Sequence, residues 1–396
     1  MRKTLLTLTL SIAFALTSKA GVWEKTCSNC HGVVAPKKEE LLRKYSTPDE
    51  MLEKAMELSK KGVMPSDLDF ESGINELFLK GASAKVESPQ NEIEWAKSKF
   101  QPLPSLPPIP ADNPQTKVKV ALGKMLYFDP RLSKSKLISC NTCHNLSIGG
   151  DDNQRTSIGH KWQHGPRNAP TVLNAAFLKV QFWDGRAPTL EEQAKGPLTA
   201  PVEMAASPEI DIRRVKSIPE YVKLFRAAFP GESDPVTFDN IAKAIAAYER
   251  TLLTPNSPFD RYLNGDESAL TEDQKEGMVL FVKTGCIACH NGPVLSDGNY
   301  YKFQWNNDQG RYKVTQNPED MFKFRTPQLR NVALTAPYFH DGTVDKLEDA
   351  IKIMAEKMLN KKLNDAQLWK IKAFLESLTG DVPVEARVLP VLPEEQ

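Results

Sequence analysis

The chain has six cysteines in 396 residues, and they fall as three pairs: Cys27/Cys30, Cys140/Cys143 and Cys286/Cys289. Each pair is followed at once by a histidine, His31, His144 and His290. No cysteine is left over for a structural disulfide. Redox dithiols and zinc knuckles also use Cys-x-x-Cys, but neither requires the adjoining histidine three times; Cys-x-x-Cys-His is the attachment signature of c-type haem. Two thiols three positions apart on a helical turn can add to the two vinyl groups on one haem edge. The next residue then turns its imidazole toward the iron. The pattern predicts three covalently bound haems c, with His31, His144 and His290 as proximal ligands. What each haem does depends on its sixth position, because two strong ligands favour electron transfer and an openable position permits chemistry.

Around these motifs the composition is that of an ordinary globular protein, with 51 basic and 50 acidic residues and a formal net charge of +1. No bulk field favours nucleic acid, which is excluded as an expected partner. Residues 1–20, MRKTLLTLTLSIAFALTSKA, combine a basic start, a short apolar run and small residues before Gly21. They read as a signal peptide, which places the protein in the periplasm; left uncleaved, the segment would anchor it to a membrane. Residues 21–87 carry the first haem motif, then the amphipathic stretch DEMLEKAMELSK, in which Met51 and Met56 read as packing residues, and then KGVMPSDLDF. This resembles a small class I cytochrome c, in which a Met-Pro about 30 residues after the motif supplies the distal thioether; Met64 is the matching position. Residues 88–114 contain FQPLPSLPPIPADNP and read as an extended linker. Beyond it, FDNIAKAIAAYERTLL and DAQLWKIKAFLESLTG place apolar residues at i, i+3, i+4 and i+7, which predicts helices. The expected fold is mainly α, with three cytochrome c-like haem domains: residues 21–87, 115–253 and 254–385, and a tail from 386 to 396.

From residue 117 to about 380, LGKMLYFDPRLSKSKLISCNTCHNLSIGGDDN, SIGHKWQHGPRNAPTVLNAAF, QFWDGRAPTLEEQAKGPL, SPFDRYLNGDESALT, GCIACHNG and LRNVALTAPYFHDGTV follow one another. In this order and spacing they resemble the bacterial dihaem cytochrome c peroxidases. The extra N-terminal haem segment is similar to the trihaem branch, some of whose members take electrons from quinol. The resemblance implies an enzyme that reduces hydrogen peroxide to water, with a small cytochrome c or a membrane quinol as donor, and a homodimer. Electrons would enter at the N-terminal haem and pass through the second core haem, which is paired with Met354, to the first.

Site roles follow from the same resemblance. His160, in SIGHKW, would cap the resting peroxidatic haem bound at Cys140, Cys143 and His144. A histidine beside glycine in a Gly/Asp/Asn-rich loop suits a ligand that must leave. His164 reads as a surface residue, because Gly165-Pro166 interrupts any helix that would pair it with His160. Glu203 and Gln193 would move a proton and stabilise charge during O–O cleavage, while Glu191 and Glu192 read as a solvated helix face. The second core haem, at Cys286, Cys289 and His290, would be completed by Met354, with Met358 one helical turn on as the competitor. Trp183 would lie between the core haems. A calcium ion is implied at Asn168 and the carbonyls of Thr335 and Pro337, and His340 belongs near the same junction. The rival readings are a multihaem electron-transfer protein in which His160 never dissociates, and a sensor or quinol oxidase module in which peroxide is incidental.

Overall fold

The computed structural model describes residues 48–60, Ile74 and residues 89–395. The calls on Cys27, Cys30, His31, Met64 and the segment 1–20 lie outside these residues. The chain divides into two compact units, residues 1–92 and 93–396. In the first, the helix α1 (Pro48–Lys60) buries Met51 and Ala55, as its apolar spacing requires, but leaves Met56 exposed. Met56 is therefore not the packing residue expected.

The second unit is helical, with one two-stranded antiparallel sheet, β1 (Tyr300–Lys302) against β2 (Lys323–Arg325). Among the described residues it holds two large hydrophobic cores and a small cluster of Ala175, Leu190 and Ala246. The first gathers α3 (Lys117–Phe128), α6 (Pro208–Lys216), α7 (Pro219–Ala228) and α8 (Phe238–Glu249), with Leu126, Tyr127, Phe225 and Ile245 at its centre. The second is built on α10 (Glu272–Thr284), α12 (Leu347–Leu359) and α13 (Asp365–Glu376), around Phe281, Phe374 and Ile371.

Each core is organised by one close helix crossing at a glycine. A Cβ on Gly123 of α3 would lie 1.8 Å from the Ala244 carbonyl oxygen of α8, and one on Gly277 of α10 would lie 1.9 Å from that of Lys370 of α13. Only a residue without a side chain allows the backbones this close. Side-chain caps start these helices: Thr116, Thr237, Thr271 and Asn364 each accept a backbone N–H from the first turn.

The expected linker is only partly extended. Pro89–Lys97 forms a helix, α2, which buries Ile93 and Ala96 in the second core; the proline-rich run after it carries no helix, and Leu103 N–H donates to Asp260 at 2.8 Å. Three spaced apolar positions in QNEIEWAKSKF outweigh the prolines that flank them. The tail is also part of the fold: Ala386 is buried in the first core, and Arg131 donates to the Pro393 carbonyl at 2.8 Å. Among the described residues, no helix is long and apolar enough to cross a membrane.

Candidate functional site

The first cysteine pair sits where its chemistry needs it. Cys140–Cys143 form a single helical turn, α4, started by a capping box at Ser139, and His144 closes the turn. The Tyr127 hydroxyl donates to the His144 carbonyl at 2.6 Å, which ties the motif to α3. The second pair is arranged alike, on a 3₁₀ turn at Cys286–Ala288 that begins at the left-handed Gly285. All four thiols are unpaired. Burial pushes Cys143 and Cys286 each up to about 11, the reverse of a reactive redox thiolate.

Each motif opens on a cavity. One, of about 380 Å³, is lined by Cys140, Cys143, His144, Trp183, Arg186, Gln193, Glu203 and Glu249. The other, of about 240 Å³, is lined by Cys286, Cys289, His290, Trp183, Arg325, His340, Met354 and Met358. Trp183 belongs to both, together with the stretch Asn168–Thr171, so the two cavities share one wall. The indole is fixed there: its Nε1 donates to the Asn168 carbonyl at 2.9 Å, and its own carbonyl accepts Arg325 N–H at 2.8 Å.

The residues present fit haem. His144 Nδ1 is buried with no hydrogen-bond partner, and burial lowers both His144 and His290, keeping them neutral as iron ligands must be. His290 Nδ1 lies 3.1 Å from the Leu295 carbonyl, which places the proton on Nδ1 and leaves Nε2 for a metal. Met354 and Met358 lie on α12, one turn apart, and both reach the second cavity.

In the first cavity, the loop and helix that follow Trp183 supply polar groups. Gln193 comes from α5 (Leu190–Thr199), and Glu203 from the turn after it. Burial raises the Glu203 carboxyl above its ordinary value, while the Arg186 guanidinium pulls it down. A carboxyl raised in this way holds a proton more readily than a solvated one, which suits an acid–base group. The His160 loop is docked on Glu203 itself: His160 N–H donates to the Glu203 carbonyl at 2.7 Å, and a Cβ on Gly159 would lie 2.0 Å from the Val202 carbonyl oxygen. His160 Nδ1 is buried and unpartnered, and Lys161 and Trp162 beyond it both take left-handed backbone. His164 is exposed.

Glu191 departs from the expectation of a solvated face. It is buried, accepts Asn113 Nδ2 at 2.7 Å and pairs with Arg250 at 2.7 Å. Burial opposes its ionisation, yet Asn113 and Arg250 hold it below the ordinary value. Glu192 is exposed and pairs with Lys195. Asn168, Thr335 and Pro337 line one cavity, and Asn168 Nδ2 donates to the Gln154 carbonyl at 3.0 Å, which leaves Oδ1 as the acceptor end. Among the described residues no group of three or more His, Cys, Asp or Glu side chains gathers into a metal cluster, so a cation here would depend on amide and carbonyl oxygens. Sequence reasoning missed Arg186 and Arg325; Arg186 is three residues from Trp183, and that proximity was the available signal.

The family model described as di-haem cytochrome c peroxidase matches residues 117–268. The cytochrome c551 peroxidase of Pseudomonas aeruginosa is 50% identical over 312 residues, covering 76% of this chain and 90% of the relative. The chain belongs to the di-haem cytochrome c peroxidase family. A second relative, the cytochrome c551 peroxidase of Nitrosomonas europaea, is 51% identical over 72% of this chain and 86% of its own length. Among solved structures, a MauG-like protein associated with microbial copper homeostasis superposes with a TM-score of 0.67 at 32% identity, over 73% of this chain and 98% of that one. As a member of the di-haem cytochrome c peroxidase family this chain is an enzyme of that class, a haem peroxidase with covalently bound haem c.

Proposed function

We propose that this peroxidase reduces hydrogen peroxide to water at the cavity of Cys140, Cys143 and His144, in the periplasm, with electrons from a small cytochrome c or a membrane quinol. A third haem c at Cys27, Cys30 and His31, completed by Met64, is the proposed point of entry. Bound haem supplies the redox-active iron. The chain supplies the rest.

Glu203 takes the proton from one peroxide oxygen and returns it to the departing one, and Gln193 donates a hydrogen bond to the oxygen that gathers charge. Trp183, in the shared wall, bridges the two sites, and Met354 completes the second. His160 caps the first site at rest and leaves when its loop lifts from Glu203. A calcium ion at Asn168, Thr335 and Pro337 holds the junction. The observation that carries the reading is the placement of Glu203 and Gln193 in the same cavity as His144, against the wall that Trp183 shares with the second motif.

The test is Glu203→Gln, compared with the unaltered holoprotein at equal haem content. The expected result is a loss of peroxide turnover of roughly 10²- to 10⁴-fold, the usual weight of a positioned acid–base group, with the spectrum of the second haem unchanged. Turnover within a factor of about three of the unaltered enzyme would remove Glu203 from this role. Absence of turnover in the unaltered, prereduced protein would leave electron transfer as the function.

A further inference from the structure

Three arginines are buried among the described residues, Arg250, Arg325 and Arg330. Two have the anion that a buried guanidinium requires: Arg250 pairs with Glu191 at 2.7 Å and Arg330 with Asp260 at 2.8 Å. Arg325, only 2% exposed, has none. Its Nε donates to the Phe182 carbonyl at 3.2 Å and its Nη1 to the Thr326 carbonyl at 2.9 Å, both neutral groups. Burial with no acidic neighbour pushes it down to about 10, and only Tyr300 pulls the other way. Yet Arg325 lines the second cavity, as Trp183 does, among mostly apolar residues. A full charge in such a place is strongly disfavoured unless an anion joins it, and the planar fork of arginine matches a carboxylate best.

We propose that Arg325 is the buried counter-cation of a propionate carboxylate of the haem in the second cavity, and that it fixes this haem to the segment bearing Trp183. The assignment rests on reading the second cavity as a haem site. It goes to the second haem because Arg325 lines that cavity and is not among the residues lining the first. The same residue grips the inter-site wall through two bonds, its backbone N–H on the Trp183 carbonyl and its Nε on the Phe182 carbonyl, while its Nη1 donates to the carbonyl of its own neighbour Thr326. Haem position and the segment bearing the tryptophan are thereby tied to one residue, the first through its side chain and the second through its backbone N–H and Nε. Arg325 is a positioning residue, and it also tunes potential: its positive charge offsets a propionate that would otherwise favour the ferric state.

The experiment is a spectroelectrochemical titration of holoprotein carrying Arg325→Gln, which keeps an amide donor for the two carbonyls but removes the charge, with Arg325→Lys as the charge-preserving control. The haem count is read first; a protein without haem at Cys286 and Cys289 would overturn both the site reading and this assignment. With the haem present, the expected result for Arg325→Gln is a second haem that is harder to reduce, a first haem unchanged, and Arg325→Lys close to the unaltered protein. A second haem with unaltered potential, or a shift confined to the first, would overturn the assignment while leaving peroxide turnover, measured separately, to judge the proposed function. Where Arg325→Gln does not accumulate as a folded holoprotein, redox-difference infrared spectra of the unaltered protein, with haem propionates labelled with carbon-13, decide it. An ionised carboxylate band that responds to reduction of the second haem supports the pairing. A protonated acid band that follows that haem overturns it.

Discussion

Asp211 is buried, and neither carboxylate oxygen has a hydrogen-bond partner. Burial pushes it up to about 7, with Arg214 pulling the other way. An acid raised in the folded state binds its proton more tightly there than in the unfolded chain. Its penalty is therefore absent below the unfolded value near 3.9, grows as pH rises toward 7 and is constant above that. Asp211→Asn is expected to stabilise the protein at about pH 8 by up to about 4 kcal/mol, with the gain vanishing toward pH 4. Urea denaturation of the holoprotein at the two pH values checks both size and sign. Residues of this kind mark the limit of sequence reading. The Cys-x-x-Cys-His motifs were legible because covalent attachment demands an invariable local spacing. Glu191 was misread as solvated because its partners Asn113 and Arg250 lie 78 and 59 residues away.

At the scale of elements, the two cores carry the same device. GKMLYF on α3 and GMVLFV on α10 each present a glycine at the crossing and, three and four residues later, a leucine and an aromatic, Leu126-Tyr127 and Leu280-Phe281. Each helix then leads into its haem motif, at Cys140 and at Cys286. The helix periodicity was readable, but which face a glycine offers, and to which distant helix, was not. Gly277→Ala would set a methyl against the backbone of α13, and is expected to cost about 1–3 kcal/mol through forced separation of the helices. Thermal denaturation of the holoprotein measures it; an unchanged midpoint would mean that the crossing relaxes freely. Gly123→Ala should act alike on the first core. The helix Pro89–Lys97 taught the converse, that a short apolar pattern can be structured by a core far along the chain even inside a proline-rich region.

Across the second unit, segments distant in the chain are joined by ion pairs and hydrogen bonds. Arg167 bridges Asp184 and Asp308 at 2.6 Å each, and Arg311 donates to the Asp184 carbonyl at 2.9 Å. Burial works against ionisation of Asp308, but Arg167 and the Gly310 N–H hold it well below the ordinary carboxylate range. An acid lowered in the folded state contributes stability above its unfolded value and loses it as pH falls, so this junction weakens in acid. Asp308→Asn is expected to remove that contribution near neutral pH and to matter progressively less below about pH 4, which hydrogen exchange of the Lys323–Arg325 strand would follow. The tail makes a second tie, since Ala386 and Val382 pack on the first core and Lys136 pairs with Glu395 at 2.9 Å. Deleting residues 383–396 should lower amide protection in Lys117–Phe128 and Phe238–Glu249 and leave that of Glu272–Thr284 unchanged; equal loss in both would mean that the tail stabilises the unit as a whole.

The sequence by itself determined the cofactor chemistry and the helical class, because haem attachment and helix packing impose short, repeating spacings that a linear chain displays. Only the tertiary structure decided that Trp183 stands in a wall common to two cavities, that Glu203 carries the His160 loop on its backbone, and that Arg325 is buried without an anion. Those facts depend on residues distant in the chain meeting in a medium of low polarity, where a charge or an unpartnered nitrogen acquires meaning from what faces it.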